Sequence, residues 1–285
     1  MLKQRIITAV VLLALLVPAV IADDPRAFVL LSAVLIGAAG WEWSRLCGWL
    51  PWVCLLAGVA CLMACLFFWS SGGMEQPLPL VWLMMSTVWV LTAAGLLKGG
   101  VPLWLQVPAF IRWLAGIIAL FAAWVALVQA QAMGINFLFS IFFLVWGADV
   151  AAYFCGRLWG GRWIHRKLAA QISPGKTWEG ALGGFAVVLL LTFAWQYLEA
   201  SGQWLGPSLY ARLALHGPVF LVVSVAFLTT MSVAGDLLES LFKRAAGVKD
   251  SSQLLPGHGG VLDRIDALLP VLPLAMLLCV IEGYQ

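Results

Sequence analysis

Charged residues are scarce in this sequence. Asp, Glu, Lys and Arg together make up 10% of the 285 residues, whereas they make up about 25% of an ordinary soluble domain. Apolar residues account for 63%, which excludes a soluble globular protein and an intrinsically disordered chain. The formal net charge of +3 is too small for an electrostatic nucleic-acid interface, so we expect no nucleic-acid partner.

Cysteine and histidine are also few, with six and three residues. The cysteines lie within or beside apolar runs, and they show no paired C-x-x-C spacing with accompanying histidine. The sequence therefore indicates neither a zinc site nor a disulfide framework. The six cysteines are Cys47, Cys54, Cys61, Cys65, Cys155 and Cys279.

Long apolar runs make up most of the chain, and they predict membrane-spanning helices. A bilayer core about 30 Å thick requires about 20 residues per helix, and these runs lack the alternating pattern of membrane β-barrel strands. We predict an all-α polytopic integral membrane protein with about nine transmembrane helices. Residues 1–135 form an apolar scaffold of about five spans, and residues 136–285 form the functional region with about four. The nine segments are 5–22, 27–41, 50–69, 78–97, 112–130, 136–155, 180–198, 217–238 and 267–281.

Basic residues between the spans predict the orientation in the membrane. With a cytoplasmic N-terminus, 14 Lys and Arg residues fall on the cytoplasmic side, and only Arg26 and Arg212 fall outside. This distribution satisfies the positive-inside rule. An odd number of spans then places the C-terminus outside. The 14 residues are Lys3, Arg5, Arg45, Lys98, Arg112, Arg157, Arg162, Arg166, Lys167, Lys176, Lys243, Arg244, Lys249 and Arg264.

The first apolar segment has a second interpretation. Lys3 and Arg5 precede a run that ends in Val20-Ile21-Ala22, which resembles the small-residue end of a cleaved signal peptide. The sequence leaves open whether this span is retained or removed.

Charged residues concentrate in one C-terminal segment. Nine of the 29 charged residues lie in the 31 residues from Asp236 to Asp266. Two apolar spans flank this segment, and ionisable groups beside or within the membrane are usually functional. A solvated loop is the alternative explanation. Helical spacing places five polar residues on one face at the end of the eighth span: Ser232, Asp236, Glu239, Ser240 and Lys243.

Three carboxylates of this segment have the chemistry of a magnesium site. Asp236 lies on one helix, and Asp263 and Asp266 lie three residues apart at the start of the next. The three converge if the intervening loop folds back. Such oxygen clusters suit Mg²⁺ that is also bound by substrate phosphates.

The loop between these carboxylates has matching anion-binding features. Its turn His258-Gly259-Gly260 precedes a helix, where backbone N–H groups can bind an anion. Four cations in the segment can neutralise phosphate charge: Lys243, Arg244, Lys249 and Arg264.

Residues 240–266 resemble the signature of the phosphatidate cytidylyltransferase family, the CDP-diacylglycerol synthases. The family pattern begins with S-x-φ-K-R, where φ is apolar, and continues four residues later with K-D. Four further elements follow in order: a small residue, then a position that is P or G, then H-G-G, and finally D-R-φ-D. Every specified position is filled, by Ser240, Lys243, Arg244, Lys249, Asp250, Ser252, Pro256, His258, Gly259, Gly260, Asp263, Arg264 and Asp266.

A second stretch also resembles this family. Residues 149–157 fit the pattern D-x-x-A-Y-x-x-G-R, and residues 173–180 fit S-P-x-K-T-x-E-G. Asp149 lies among apolar neighbours in the sixth span, where packing alone explains a carboxylate poorly. The polar residues of the second element either cap the next helix or bind phosphate, and the resemblance favours phosphate binding. They are Ser173, Lys176, Thr177 and Glu179.

The resemblance implies an enzyme that condenses CTP with phosphatidic acid to give CDP-diacylglycerol and pyrophosphate, with Mg²⁺ as cofactor and possible use of a second cation. It implies a metal site formed by Asp236, Asp263 and Asp266. The implied catalytic residues are Asp236, Lys243, Arg244, Asp263, Arg264 and Asp266. The implied substrate-binding and phosphate-binding residues are Asp149, Ser173, Lys176, Thr177, Glu179, Glu239, Ser240, Lys249, Asp250, His258, Gly259 and Gly260.

The resemblance also implies where the protein works and with what partners. It implies a homodimer in contact with membrane lipid, in the bacterial cytoplasmic (inner) membrane. Loop charge independently places both motifs on the cytoplasmic side, where CTP is available.

Two other functions fit part of the pattern. A CTP-dependent polyprenol or other lipid kinase also needs a membrane substrate, Mg²⁺ and nucleotide, but the complete signature argues against it. A secondary transporter, from a different functional class, also places charges among spans. It would normally show internal repeats and broken helices at the membrane midplane, whereas these charges cluster at one membrane face.

Overall fold

The computed structural model describes residues 2–202 and 206–280, and its regular structure is helical. No residue in these two ranges belongs to a named β-strand. A short 3₁₀ helix covers Gly73–Glu75. The α-helices are α1 (Leu2–Ile21), α2 (Arg26–Leu46), α3 (Pro51–Ser70), α4 (Pro79–Gln106), α5 (Ala109–Ala132), α6 (Ile135–Trp159), α7 (Trp178–Ser201), α8 (Leu209–Ala214), α9 (Pro218–Ala245), α10 (Leu262–Ile265) and α11 (Leu268–Val280).

Seven helices in these ranges are long and apolar enough to cross a membrane, namely α2 to α7 and α9. An all-α polytopic membrane protein is therefore confirmed, and the short second segment is among the seven. The first predicted span contains the shorter apolar stretch Ile6–Ile21, and the last corresponds to the 13 residues of α11. Its predicted end, residue 281, lies outside the described residues. The count of nine stays a prediction.

The surfaces of these helices carry large apolar side chains. Phe67 on α3, Leu91 on α4 and Leu190 on α7 are exposed by 74%, 66% and 69%. Apolar surface of this extent suits contact with lipid rather than with water. The orientation of the helices in the membrane stays a prediction.

The chain divides into two compact units, each assembled from segments that are separate in sequence. The first contains α1, α2, α3, α5, the part of α4 after Gly100, and residues 242–266, which include α10. The second contains α4 up to Gly100, α6, α7, α8, α9 up to Leu241, and α11. Gly100 has a non-helical φ of 65°, so α4 bends where the units divide. The sequence predicts a division by function, into a scaffold (residues 1–135) and a functional region (residues 136–285). The two compact units do not test that division, which stays a prediction.

In the first unit, α2 contacts helices α1, α3, α5 and α10. Its close approach to α3 requires glycine, because a Cβ atom on Gly58 would lie 2.7 Å from the carbonyl oxygen of Gly37. The indole N–H of Trp43 donates to the carbonyl oxygen of Trp113 on α5 at 3.0 Å. The same indole lies 5.2 Å from the ring centre of Phe242, in the last turns of α9. α2 is therefore the central helix of this unit.

In the second unit, glycines bring α6 and α7 together. A Cβ atom on Gly180 would lie 2.7 Å from the carbonyl oxygen of Ala152, and one on Gly184 would lie 2.8 Å from that of Ala148. Small residues at four-residue spacing allow two membrane helices to pack backbone against backbone. This contact fixes the start of α7 against α6.

We predict that Gly184→Leu lowers the free energy of unfolding by about 1–3 kcal/mol, the usual effect of overpacking, because a side chain there must separate α6 from α7. Gly95→Leu is the matched control, since Gly95 is also helical but has open space around it. Thermal unfolding of both variants in detergent measures the difference. Equal stability of the two variants would contradict the close packing of α6 and α7.

Candidate functional site

The segment that follows α9 folds back on itself. Gly247 ends the helix with a left-handed φ of 71°. Further on, the Leu255 N–H donates to the Gly259 carbonyl oxygen at 2.8 Å and closes a tight turn. Gly257 and Gly259 have φ of 77° and 86°, which glycine adopts without strain. The chain then enters α10.

Asp263 on α10 connects this folded segment to the end of α9. Its Oδ1 lies 2.6 Å from Nζ of Lys243. Its Oδ2 accepts hydrogen bonds from the Ser251 N–H at 2.9 Å, the Ser251 hydroxyl at 2.8 Å and the Gly260 N–H at 2.7 Å. The side chain is only 4% exposed, so Asp263 is a buried carboxylate with partners on both oxygens.

A second buried carboxylate, Glu42 on α2, holds the same segment from the other side. Its Oε1 accepts from the Ser252 hydroxyl and the Val261 N–H, and its Oε2 accepts from the Leu262 N–H. Oε2 also lies 3.2 Å from the Ser251 hydroxyl, whose single proton is donated over the shorter distance to Asp263. Sequence reasoning assigned no role to Glu42. The sequence does contain one indication of its importance. Glu42 is a carboxylate at the end of an apolar span, and such residues usually have a function.

Two of the three backbone N–H groups that the sequence predicts for anion binding already have acceptors in the protein. The N–H of His258 donates to the Leu255 carbonyl oxygen at 2.8 Å, and the N–H of Gly260 donates to Asp263. In this conformation, binding of a phosphate near these groups would depend on side chains.

A cavity adjoins the segment within the first unit. Its volume is about 680 Å³, within the range of small-molecule sites, about 300–1,000 Å³. Trp41 and Arg45 of α2 form one side, and residues 246–254 contribute the other, including Lys249. The guanidinium of Arg45 lies 4.7 Å from the ring centre of Trp41. The cavity therefore combines an aromatic side chain with two cations, Arg45 and Lys249, and one carboxylate, Asp250, so its charged side chains carry a net positive charge.

In the second unit, the structure brings two predicted site residues together. Nζ of Lys176 lies 2.6 Å from Oδ2 of Asp236, and the two side chains are 24% and 29% exposed. The Ser240 hydroxyl lies 3.5 Å from Oδ1 of Asp236, the outer limit of a hydrogen bond. The second sequence element and the polar face of α9 thus meet at this ion pair.

The polar residues around Lys176 have separate structural roles. Thr177 caps α7, because its hydroxyl accepts from the Gly180 N–H at 3.1 Å. Ser173 is not the cap, since it lies in the preceding turn, where its carbonyl oxygen accepts from the Lys176 N–H. Glu179 is buried, and its Oε1 accepts from three backbone N–H groups, those of residues 161, 163 and 164. Glu179 therefore fixes the loop between α6 and α7.

The other predicted residues differ in exposure. Glu239 is buried, and Asp266 and His258 are half-buried. Nδ1 of His258 has no hydrogen-bond partner in the part of the chain that the structure describes. The exposed residues are Asp149, Arg244, Lys249, Asp250 and Arg264.

The predicted magnesium ligands belong to different units. Asp236 lies in the second unit, and Asp263 and Asp266 lie in the first. Within residues 2–202 and 206–280, no group of three His, Cys, Asp or Glu side chains is arranged to hold a metal. The convergence of the three carboxylates stays a prediction.

Comparisons with known proteins test the resemblance found in the sequence. The chain matches the model of the cytidylyltransferase family over residues 3–281. A phosphatidate cytidylyltransferase of Pseudomonas aeruginosa is 37% identical over 285 residues, covering 96% of this chain and 95% of that protein. One of Haemophilus influenzae is 34% identical over 293 residues, covering 96% of each. One of Brucella suis is 42% identical over 142 residues, covering 49% of this chain and 45% of that protein.

The family match and the first two relatives each extend over nearly the whole chain. The resemblance is therefore confirmed beyond the signature segment, including the apolar N-terminal spans. The chain belongs to the cytidylyltransferase family.

Proposed function

We propose that the protein condenses CTP with phosphatidic acid to give CDP-diacylglycerol and pyrophosphate. The observation that carries this proposal is the complete signature segment, fixed by two buried carboxylates beside a cavity lined by Arg45 and Lys249. Membership of the family supports nucleotidyl transfer. The names of the relatives support phosphatidate as the acceptor.

The apolar helices suit a lipid substrate. Exposed side chains such as Phe67 and Leu190 provide surface for acyl chains. The signature segment begins at the end of the span α9. It therefore lies at about the same depth in the membrane as the phosphate headgroup of a lipid. The lipid can then react while its acyl chains stay in the apolar phase.

The reaction is a displacement at phosphorus. An oxygen of the phosphatidate phosphate forms a bond to the α-phosphorus of CTP, and the bond from that phosphorus to the oxygen bridging to the β-phosphate breaks. The electron pair of the broken bond leaves with pyrophosphate. A phosphate monoester is already anionic near neutral pH, so the protein needs no strong general base. Repulsion between the two anionic substrates is the main barrier that the protein must lower.

Basic side chains are proposed to lower this repulsion. Lys243 is held at 2.6 Å by Asp263, and Lys176 is held at the same distance by Asp236. Cations that are already oriented stabilise developing charge without reorganising during the reaction. Arg244 and Arg264 are exposed and provide further positive charge.

We also propose Mg²⁺ as cofactor, with Asp236, Asp263 and Asp266 as ligands. This donor set fits in chemistry, because Mg²⁺ prefers carboxylate oxygens, and Asp236 and Asp266 both remain partly accessible. Bound Mg²⁺ would stabilise negative charge on the phosphates. Asp263 is the least accessible of the three, because Lys243 and the loop donors already contact both of its oxygens.

The setting of the enzyme is part of the proposal. We propose that it lies in the bacterial cytoplasmic (inner) membrane, with its N-terminus and signature segment on the cytoplasmic side and its C-terminus outside. The basic connections and the supply of CTP in the cytoplasm support this orientation, and the bacterial relatives support the membrane. A homodimer is proposed from the family resemblance.

We expect purified protein in lipid vesicles to form CDP-diacylglycerol and pyrophosphate in equal amounts from CTP and phosphatidic acid. Labelled CTP and chromatography of the lipid fraction measure this. EDTA should abolish the reaction, and added Mg²⁺ should restore it. A phosphorylated lipid formed together with CDP would indicate a lipid kinase instead, and solute uptake without turnover would indicate a transporter.

Asp263→Asn should lower kcat by about 100-fold or more, the effect of losing one preorganised electrostatic contact. The asparagine oxygen can still accept from Ser251 and Gly260, but its amide group would then face Lys243. The segment therefore keeps its fold while the ion pair is lost. Asp24→Asn is the control, because Asp24 is exposed and pairs with the exposed Arg26. Full activity of Asp263→Asn would contradict the assignment of Asp263.

Lys176→Met should lower kcat/KM for CTP by about 10–100-fold, as expected for loss of a phosphate-binding cation in a partly buried site. Lys98→Met is the matched control, because Lys98 is an exposed lysine on α4 outside the motifs. Initial rates at varied CTP concentration measure the effect. If both variants bind and turn over CTP like the wild type, Lys176 has no role in phosphate binding.

A further inference from the structure

Glu42 is an ionisable group buried within an apolar protein. It lies on α2 and its side chain is 0% exposed. An isolated carboxylate at such a position is strongly destabilising unless hydrogen bonds compensate for the lost water. No Lys or Arg in residues 2–202 and 206–280 forms a recorded ion pair with it. In the part of the chain that the structure describes, its oxygens contact hydrogen-bond donors.

The four residues that contact the Glu42 carboxylate come from both ends of the signature segment's central loop. Ser251 and Ser252 lie at its start, and Val261 and Leu262 lie at its end. Each carboxylate oxygen accepts one backbone N–H, Oε1 also accepts the Ser252 hydroxyl, and Oε2 lies beside the Ser251 hydroxyl that Asp263 shares. Glu42 therefore joins two parts of the chain that are about ten residues apart, which fixes the loop between them.

This contact is coupled to the predicted catalytic pair. The Ser251 hydroxyl lies 3.2 Å from Oε2 of Glu42 and 2.8 Å from Oδ2 of Asp263. Asp263 in turn holds Lys243. A Cβ atom on Gly260 would overlap Oε1 of Glu42, so the carboxylate lies directly against the backbone of Gly260. A change at Glu42 is thus transmitted directly to Asp263.

The residues beside Glu42 on α2 face the cavity. Trp41 and Arg45 line one side of it, and Ser251 and Ser252 are among the residues that line the other. Glu42 connects these two sides, because it lies on α2 and contacts Ser251 and Ser252.

We propose that Glu42 is a positioning residue for cytidylyl transfer: it holds residues 251–262 against α2 and thereby places Asp263 and Lys243 for the reaction. This inference rests on the proposed function. Glu42 itself is enclosed by the protein and acts through the residues that it orients.

An amide cannot replace this carboxylate. Both oxygens of Glu42 accept a backbone N–H, and a backbone donor cannot reverse its direction. In Glu42→Gln, the side-chain NH₂ would face either Val261 or Leu262 and leave that buried N–H without an acceptor. The loop should therefore shift or loosen, although the side chain keeps its size.

Glu199 provides a matched control in the second unit. Its Oε1 accepts from the Ser208 N–H and its Oε2 accepts from the Ser208 hydroxyl. Only one of these donors is fixed in direction, and the hydroxyl can rotate to accept from an amide. Glu199→Gln should therefore be tolerated, and Glu199 lies outside the residues proposed for the reaction.

Two measurements on the full-length protein test the proposal. Steady-state kinetics should show that Glu42→Gln lowers kcat by about 10–100-fold, the usual effect of disturbing a residue that orients a site, while KM for phosphatidic acid stays within about threefold. Hydrogen–deuterium exchange should show faster exchange of the amides of residues 251–262 in Glu42→Gln. Glu199→Gln should match the wild type in both measurements.

A double-mutant cycle adds a sharper criterion. If Glu42 acts through the loop, Ser252→Ala should reduce kcat in the wild type but have a smaller effect in Glu42→Gln, because contacting residues are not additive. Unchanged kcat in Glu42→Gln, unchanged exchange of the loop, or loss of activity only in proportion to loss of folded protein would each overturn the proposal. Wild-type protein that forms no CDP-diacylglycerol would contradict the proposed function instead, and the exchange measurement would still show whether Glu42 holds the loop.

Discussion

The signature segment depends on two buried carboxylates that share one serine. Glu42 and Asp263 both lie within hydrogen-bond distance of the Ser251 hydroxyl, and between them they accept the N–H groups of Gly260 and of the two residues that follow. Buried carboxylates require hydrogen-bond donors, and a loop without regular structure has backbone N–H groups that require acceptors. Here the N–H groups of the loop donate to the two carboxylates, so both requirements are met by the same hydrogen bonds. The arrangement leaves the loop few alternative conformations, although it has almost no secondary structure.

The same network explains the glycines of the signature. A side chain at position 260 would overlap the Glu42 carboxylate and the Ser251 hydroxyl, and one at position 259 would lie 2.7 Å from Oδ2 of Asp263. Gly259 also has a left-handed φ of 86°. Glycines in such a turn can serve to let a bound phosphate approach the backbone. In this conformation it is two carboxylates of the protein, Glu42 and Asp263, that approach it. Under the proposed function, phosphate would then be bound by side chains such as Lys243 and Lys249.

Composition and hydrophobic runs were sufficient to predict the class of fold and the seven helices long enough to span a membrane. Local spacing could not predict contacts between distant residues. Glu42 and the loop are separated by more than 200 residues, and Lys176 and Asp236 are separated by 60. Neither contact therefore leaves a pattern in a single sequence.

Two local features were also beyond the sequence. Ser173 and Thr177 can both cap a helix, and the turn at residues 169–173 leaves Thr177 as the cap of α7. α4 continues to Gln106, past its predicted end at residue 97, because a bend at Gly100 allows the chain to resume a helix.

The two lysine–aspartate pairs constrain how phosphate can bind. A lone cation or carboxylate in a partly buried site is destabilising, whereas a pair at 2.6 Å has little net charge. A phosphate that approaches Lys176 or Lys243 must therefore share an ammonium group that already contacts an aspartate. An ammonium group has three N–H donors, so Lys176 can keep its aspartate and still donate to a phosphate oxygen. Within its own unit, each aspartate thereby orients the ammonium group that it contacts. A lysine held in this way is a preorganised cation, unlike a mobile lysine on the surface.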